Sequence, residues 1–171
     1  PTIRAVYRVP DSSVDGFRLV WHNAMSARRY GGEMLTHHEV IAIEQEAGKV
    51  KGVRARNLMT SEEISISCDM VVNAAGSWAA NLVKLVGLEV GVQPDRGTLI
   101  AFNHRFTSRI INRLHQSSDG DIFMPHGSIT ILGTTSFHAD RPDAHDVPTA
   151  DILKLLDIGE VLIPNLRSYR I

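Results

Sequence analysis

The chain has 171 residues, of which 43% are hydrophobic and 22% are charged, with 18 lysines and arginines against 19 aspartates and glutamates. This near-neutral balance gives no electrostatic basis for binding nucleic acid, and no apolar run reaches the roughly 20 residues needed to span a bilayer. The single cysteine, Cys68, excludes an internal disulfide framework and is typical of a reducing compartment such as the cytoplasm.

The first half of the chain combines a helix with three strands. Asp15 is suited to cap a helix that runs to about Tyr30, with apolar residues on one face and Gly31-Gly32 closing it. The alternating segments EVIAIEQE and VKGVRARN predict a hairpin about the turn AGK, and EISISC predicts a third strand. These three strands are expected to form an antiparallel meander.

The segment MVVNAAGSW, residues 70–78, breaks the alternation. Its continuous apolar run predicts a strand buried on both faces of a parallel sheet, followed by a helix that Ser77 caps and Gly87 ends. Such a unit directs backbone N–H groups to one point, where a phosphate can bind. The alternative is that the small residues serve only close packing, with Trp78 as a core anchor.

The second half is predicted to form another sheet. The segments GTLIAF, DIFMP and SITILGTTS read as strands separated by polar loops, and a helix is expected from about Thr149 to Ile163, ended by Pro164. The predicted fold class is therefore α/β in the broad sense, an α+β mixture. It has one domain over residues 1–90 and another over residues 91–171.

A metal site and a reactive thiol are both possible from the composition. His138, Asp140 and His145 share one loop, but their spacing matches no usual zinc signature and no Cys or Glu joins them, so we predict no metal site. Cys68 alternates with Ile64 and Ile66, a pattern that favours packing over nucleophilic chemistry.

The order of several motifs resembles a known family. FRL on a helix, HHEV opening a hairpin, VVNAAGSWAANL, a GTL strand, DIFMP and LGTTS resemble the middle of the FAD-dependent glycerol-3-phosphate dehydrogenases, within the D-amino-acid-oxidase-like superfamily. The segments INR…SSDGDIFMP and ITILGTTS look most like the anaerobic large subunit. The match covers nearly all of the chain, and motifs in the same order are more specific than any one alone.

The resemblance implies FAD as the cofactor. Residues 1–90 would then be part of a doubly wound FAD-binding domain that carries the meander, and residues 91–171 part of a substrate domain built on an antiparallel sheet. In the family, the residue matching Val40 meets the adenine end of FAD through its backbone. The turn matching Ala74, Ala75 and Gly76 lies beside the cofactor, and the residue matching Trp78 helps to close the site.

Three residues of the second half are candidates for binding substrate. Arg96 offers charge to a phosphate, and Thr134 and Thr135 offer hydroxyls. The alternatives are that the threonines satisfy their own backbone at a strand end and that Arg96 is solvated surface. Aerobic relatives carry a histidine at the position of Leu99, so that substrate contact is not carried over.

The family's GxGxxG fingerprint and its Gly-Val-Arg-Pro segment are not found in these residues. We therefore expect an internal fragment that lacks FAD and activity on its own, with catalytic residues elsewhere. The resemblance implies a parent that oxidises sn-glycerol 3-phosphate, a small phosphorylated polyol, to dihydroxyacetone phosphate. Electrons would pass through FAD to other dehydrogenase subunits and a quinone.

The parent is expected in the cytoplasm, peripheral at the inner face of the cell membrane. The alternatives to this function are another FAD-dependent amino-acid or hydroxy-acid oxidase or dehydrogenase of the superfamily, and an inactive scaffold or interaction fragment. Because part of a normally buried face would be exposed in a fragment, we also expect that it can form a homodimer.

Overall fold

A computed structural model describes residue 3, residues 5–113 and residues 122–171. The SSDGD part of the family-like motif, residues 117–121, lies outside this range. Within it, no helix combines the length and the apolar character needed to cross a membrane. The elements of the described residues are α1 (Gly16–Arg29), β1 (His38–Glu46), β2 (Lys49–Asn57), β3 (Glu63–Ser67), a 3-10 turn (Gly76–Trp78), α2 (Ala79–Lys84), β4 (Asp95–Arg96), β5 (Leu99–Phe102), β6 (Ile122–His126), β7 (Ile129–Gly133), β8 (Phe137–His138), α3 (Thr149–Glu160) and a second 3-10 turn (Leu166–Ser168).

The chain divides into two compact units. One unit is Asp15–Gln93, and the other is Pro94–Ile171 together with the described residues before Asp15. The first unit holds α1, β1 to β3 and α2, and the second holds β4 to β8 and α3. Each is described by itself below, and the mixture of helices with antiparallel sheets agrees with the predicted fold class.

Helix α1 of the first unit is confirmed with the predicted caps. The Asp15 carboxylate accepts a hydrogen bond from the amide of Arg18 at 3.1 Å, which satisfies one of the free donors of the first turn. Gly31 has a φ of +86°, so a glycine there ends the helix without a steric cost. The predicted apolar face is present but uncovered, because α1 buries none of its residues.

The meander is also confirmed. The strands pair antiparallel in the order β1-β2-β3. Ala47 and Gly48 join the first two strands. Both have positive φ, +49° and +75°, as a type I′ hairpin turn requires. Gly52 faces Ser67, and a side chain there would meet the backbone oxygen of Ile66 at 2.6 Å, so only glycine allows this close approach of strands.

The buried parallel strand predicted at residues 70–76 is not formed. Met70 and Val72 are exposed, and no strand among the described residues pairs with this segment. A parallel strand exists only where neighbours supply its ladder of hydrogen bonds. An apolar run is therefore not sufficient to define one. The helix end that Gly87 was predicted to make is present, since Gly87 has a φ of +73° after the last turn of α2.

The second unit closes around a hydrophobic core. Strands β5, β7 and β6 form an antiparallel sheet in that order, and α3 contacts β5 and β7. Burial of each large apolar side chain contributes about 1.5–3 kcal/mol. Gly159 of α3 lets the helix approach this core closely, because a side chain there would meet Leu166 and Leu132 at 2.5 and 2.8 Å. The buried members of the core are Ile100, Phe102, Phe123, Leu132, Leu155, Leu156 and Leu166.

The predicted strands and helix of this unit are present with small shifts. The three strand segments correspond to β5, β6 and β7, and α3 ends at Glu160, before the predicted Ile163. Backbone bonds from Leu162 and Ile163 to the oxygen of Gly159 continue the turn beyond the helix end. Such differences at helix ends are ordinary, because the last turn frays.

Candidate functional site

The turn over residues 73–78 is held by the side chain of Asn73. Its Nδ2 donates to the backbone oxygen of Ala79 at 3.0 Å, and its Oδ1 accepts from the amide of Ala75 at 3.2 Å. The amide of Trp78 donates to the oxygen of Ala75 at 3.0 Å. The sequence analysis missed Asn73, although its tendency to bond the backbone two residues ahead was the available signal.

The prediction that Ser77 caps the following helix is wrong. Ser77 lies inside the 3-10 turn Gly76–Trp78, past the position from which a side chain reaches free amides, and no side-chain cap bond is made before α2. Helix α2 has six residues, so the argument that a phosphate binds at the positive end of a helix has little support here.

The small residues nevertheless leave the main chain of the turn accessible. Ala74 and Gly76 are exposed, and among the described residues no atom lies within 4 Å of the place where a Gly76 side chain would sit. Close packing therefore does not explain this glycine, whose φ of +54° does. Trp78 is 45% exposed and is not a buried core anchor. An exposed main chain beside an exposed aromatic ring is compatible with the predicted position of this turn beside FAD.

Val40 lies on β1, at the edge of the meander. Its partner across the sheet is Ala55, and the register shifts between Val40 and Ala42, as at a β-bulge. Because β1 pairs only with β2 in the described chain, the other side of its backbone has no strand partner. This placement is compatible with a backbone contact to FAD. The roles of Val40 and of the turn residues stay predictions.

The three predicted substrate-binding residues lie together in the second unit. Register explains this, because Leu99 at the start of β5 faces Gly133 at the end of β7, and Arg96 faces Phe137. Arg96 and both threonines line one open cleft of about 400 Å³, and an exposed Leu99 lies in its wall. A second open depression, of about 510 Å³, follows the end of α1 and contains none of the predicted residues.

The two threonines make backbone contacts at this cleft. Thr135 is fully buried, and its Oγ1 accepts from the amide of Thr98 at 3.0 Å. The Thr134 hydroxyl lies 2.8 Å from the oxygen of Thr135 and 3.3 Å from that of Thr98. Both satisfy backbone groups, which is the alternative weighed from the sequence. Thr134 is the more accessible of the two, and a substrate role for either stays a prediction.

Arg96 is anchored on one side. Its Nη1 donates to the backbone oxygen of Asp146 at 2.9 Å and to Oδ2 of Asp151 at 3.3 Å, and its guanidinium lies 5.7 Å from the centre of the Phe137 ring. Asp151, at the first turn of α3, also accepts from the hydroxyl of Thr98 at 3.0 Å. Arg96 is thus held in place rather than freely solvated. The sequence analysis missed Asp151 because the pairing joins residues far apart in the chain.

The other groups considered from the sequence make simpler contacts. His138 lies 2.6 Å from a carboxylate oxygen of Asp95, and both are largely exposed. Across the part of the chain that the structure describes, no group of three or more His, Cys, Asp or Glu side chains could hold a metal ion. Cys68 is a free, half-buried thiol.

Comparison with known proteins gives one family along the whole chain. The family model "FAD dependent oxidoreductase" (DAO) matches residues 1–171. The chain is 36% identical over 173 residues to the A subunit of the anaerobic glycerol-3-phosphate dehydrogenase of Escherichia coli (strain K12), covering 100% of this chain and 32% of the relative. It is 32% identical over 177 residues to the A1 subunit of the Haloferax volcanii enzyme of the same name, covering 98% of this chain and 30% of that protein.

A solved structure supports the same relationship. The glycerol-3-phosphate dehydrogenase from Bacillus halodurans, complexed with FAD, matches with a TM-score of 0.76 and 25% identity. The match covers 90% of this chain and 32% of the other. The chain therefore spans about a third of the length of the relatives it matches.

We expect the Asn73→Ala variant to destabilise the turn, because two backbone groups lose their partner. The expected loss is about 1–2 kcal/mol of unfolding free energy, measured by urea denaturation, with faster hydrogen exchange at the amide of Ala75. Ser77→Ala is the matched control and should change the unfolding free energy by less than about 0.5 kcal/mol. Equal losses in both variants would contradict the assigned role of Asn73.

Proposed function

This chain belongs to the FAD dependent oxidoreductase family, and from that premise we propose that the protein containing it oxidises sn-glycerol 3-phosphate to dihydroxyacetone phosphate. The observation that carries the proposal is the 36% identity, over the whole chain, to the A subunit of an anaerobic glycerol-3-phosphate dehydrogenase. FAD, when bound, supplies the acceptor for the hydride that leaves the substrate carbon.

The residues of the first unit that would hold FAD are those whose main chain is accessible. Val40 offers backbone on the edge strand β1, and Ala74 and Gly76 offer exposed backbone in the turn. Ala75, between them, would lie beside the cofactor, since its own amide and oxygen already bond within the turn. The exposed ring of Trp78 would cover one side of the cofactor. These contacts orient the cofactor and exclude water from it. They require no acid, base or nucleophile from this part of the chain.

The cleft of the second unit has the chemistry for a phosphorylated polyol. A phosphate needs charge-assisted donors, and an arginine supplies several in a fixed plane. Arg96 uses Nη1 for its protein contacts, and its Nε and Nη2 have no hydrogen-bond partner among the residues that the structure describes. The Thr134 hydroxyl lies at the same cleft as a group for a substrate hydroxyl.

The first test uses the full-length protein that carries this chain, purified with FAD and kept without oxygen. Glycerol 3-phosphate is expected to bleach the flavin absorbance, whereas glycerol at the same concentration is not, because it lacks the group that Arg96 would bind. Bleaching by an amino acid or by another hydroxy acid, with none by glycerol 3-phosphate, would replace this proposal with the other substrate classes of the superfamily.

We also propose that the whole protein works with other dehydrogenase subunits and passes electrons to a quinone. The name of the E. coli relative, which is one lettered subunit of its dehydrogenase, supports this. We place the protein in the cytoplasm, peripheral at the inner face of the membrane. An affinity-tagged full-length protein should sediment with membranes at low salt and retain its partner subunits after mild detergent extraction. Recovery of a single polypeptide from the soluble fraction would contradict the partner subunits and the location at the membrane.

The apolar face of α1 is the surface through which this 171-residue chain would pair with a second copy. Phe17 and Val20 are 93% and 68% exposed, and Trp21 lies beside them. Burial of this face against the same face of another copy removes apolar surface from water.

For the isolated chain we expect Val20→Glu to shift the sedimentation coefficient from dimer towards monomer, since it places a charge on that face. Ser26→Glu, on the opposite side of α1, is the control with the same added charge, and it should leave the distribution unchanged. If the isolated chain without substitutions is a monomer at tens of micromolar, this pairing is ruled out.

A further inference from the structure

The carboxylate of Asp151 occupies an unusual position for a charged group. The residue is 5% exposed, at the first turn of α3, and one of its oxygens, Oδ2, accepts from both Arg96 and Thr98. A buried carboxylate is tolerated only where charge and hydrogen bonds compensate for its lost hydration. The two donors and the helix that carries the carboxylate are thereby fixed relative to one another.

The same carboxylate orders the strand end that lines the cleft. Thr98, held by Asp151 through its hydroxyl, exchanges backbone contacts with Thr135: its amide donates to Thr135 Oγ1, and its oxygen accepts from the Thr135 amide at 3.3 Å. A side chain at Gly97 would collide with Thr134 Oγ1 and would lie 2.6 Å from the Thr135 oxygen. Little space is therefore left for this end of the cleft to rearrange while the Asp151 contacts persist.

Anchoring leaves part of Arg96 available to a ligand. Both protein contacts use Nη1, the side chain is 24% exposed, and Arg96 lines the cleft. An unanchored arginine loses rotamer freedom when a ligand orders it, and this loss of side-chain entropy weakens binding. An arginine that the protein already holds does not incur that loss on binding, so a fixed guanidinium binds an anion more tightly than a mobile one.

We propose that Asp151 is a positioning residue for substrate binding: it holds Arg96 and, through Thr98, the Thr134–Thr135 end of the cleft in the geometry that receives the anionic group. This inference rests on the proposed function of the cleft. Asp151 touches Arg96 and Thr98 and acts through them.

The Asp151 carboxylate has two opposing effects on the binding of an anion at the cleft: it repels the anion, and it positions Arg96. The larger of the two decides whether its removal weakens or strengthens binding. Its charge repels an anion, but Arg96 borders an open cleft, where water and salt screen that repulsion. Water and salt do not compensate for the loss of the position in which Asp151 holds Arg96. Removing the charge while keeping the shape is therefore expected to weaken binding of an anion rather than strengthen it.

The test is a double-mutant cycle on the full-length protein loaded with FAD. Asp151→Asn should raise the KM for glycerol 3-phosphate and the Kd for inorganic phosphate, measured by calorimetry, each by about tenfold, the size of one charge-assisted contact. Flavin content and kcat should stay within about twofold, because the step at the flavin is not touched. Arg96→Ala should raise both constants as well, and Asp151→Asn should add nothing in that background.

Controls keep a folding defect apart from a positioning effect. Asp157→Asn makes the same chemical change on the exposed side of α3, where Asp157 pairs with Arg167, and should leave KM and Kd unchanged. Thr98→Val removes one contact to Asp151 and keeps the ion pair, so it should give a smaller rise. If Asp151→Asn does not fold, Thr98→Val is the variant on which the positioning role is tested.

The outcomes separate this inference from the proposed function. Unchanged or lowered phosphate Kd in folded Asp151→Asn, or an equal rise with and without Arg96, overturns the positioning role. Flavin that glycerol 3-phosphate does not reduce overturns the proposed reaction, while the phosphate measurement still decides the role of Asp151. An unchanged Kd in Arg96→Ala overturns both the anion role of Arg96 and the inference built on it.

Discussion

The second unit depends on the burial of one carboxylate. Asp151 is nearly inaccessible to water, and an unpaired charge at such a position would cost several kcal/mol. Arg96, the last residue of β4, and Thr98, just before β5, supply the compensating donors. If Arg96 or Thr98 moved away, the buried carboxylate would lose the donors that compensate for its lost hydration. The start of α3 and the strand ends at the cleft therefore behave as one structural element. The ion pair is weak evidence for stability in itself, and the geometry is fixed by the two donors that share Oδ2 of Asp151.

The hydrophobic side chains are distributed unevenly between the two units. The second unit encloses large aliphatic and aromatic residues between a three-stranded sheet and α3, whereas α1 of the first unit buries none of its own. A site that rests on strand ends above a closed core is held by rigid elements. The turn over residues 73–78 has less support, and the two hydrogen bonds of Asn73 replace the packing that a closed core would give.

Much of the local structure could be predicted, because it is determined by neighbouring residues. Asp15 caps α1 and Gly48 turns the first hairpin for reasons visible within a few positions of the sequence. The prediction failed at Val72, where an apolar run was read as a buried strand, because a strand also requires partners that a local pattern cannot reveal. Asp151 was missed for the same reason. Its partner Arg96 is distant in the chain, and only the tertiary fold brings the two together.

The sequence predicts the cofactor more readily than the substrate. The reason is that the cofactor would be held by main-chain groups and the substrate by a few side chains. A cofactor held by main-chain groups, as the open turn at Gly76 and the edge strand at Val40 would hold FAD, tolerates many side chains. It is therefore compatible with identities as low as 25–36% between this chain and the proteins it matches. A substrate is discriminated by a few side chains. The cleft presents Arg96 and Thr134 beside the exposed, apolar side chain of Leu99. Under the proposed function, recognition of an anionic substrate at this cleft would therefore depend on the anchored Arg96 side chain, because Leu99 at the start of β5 offers no polar group.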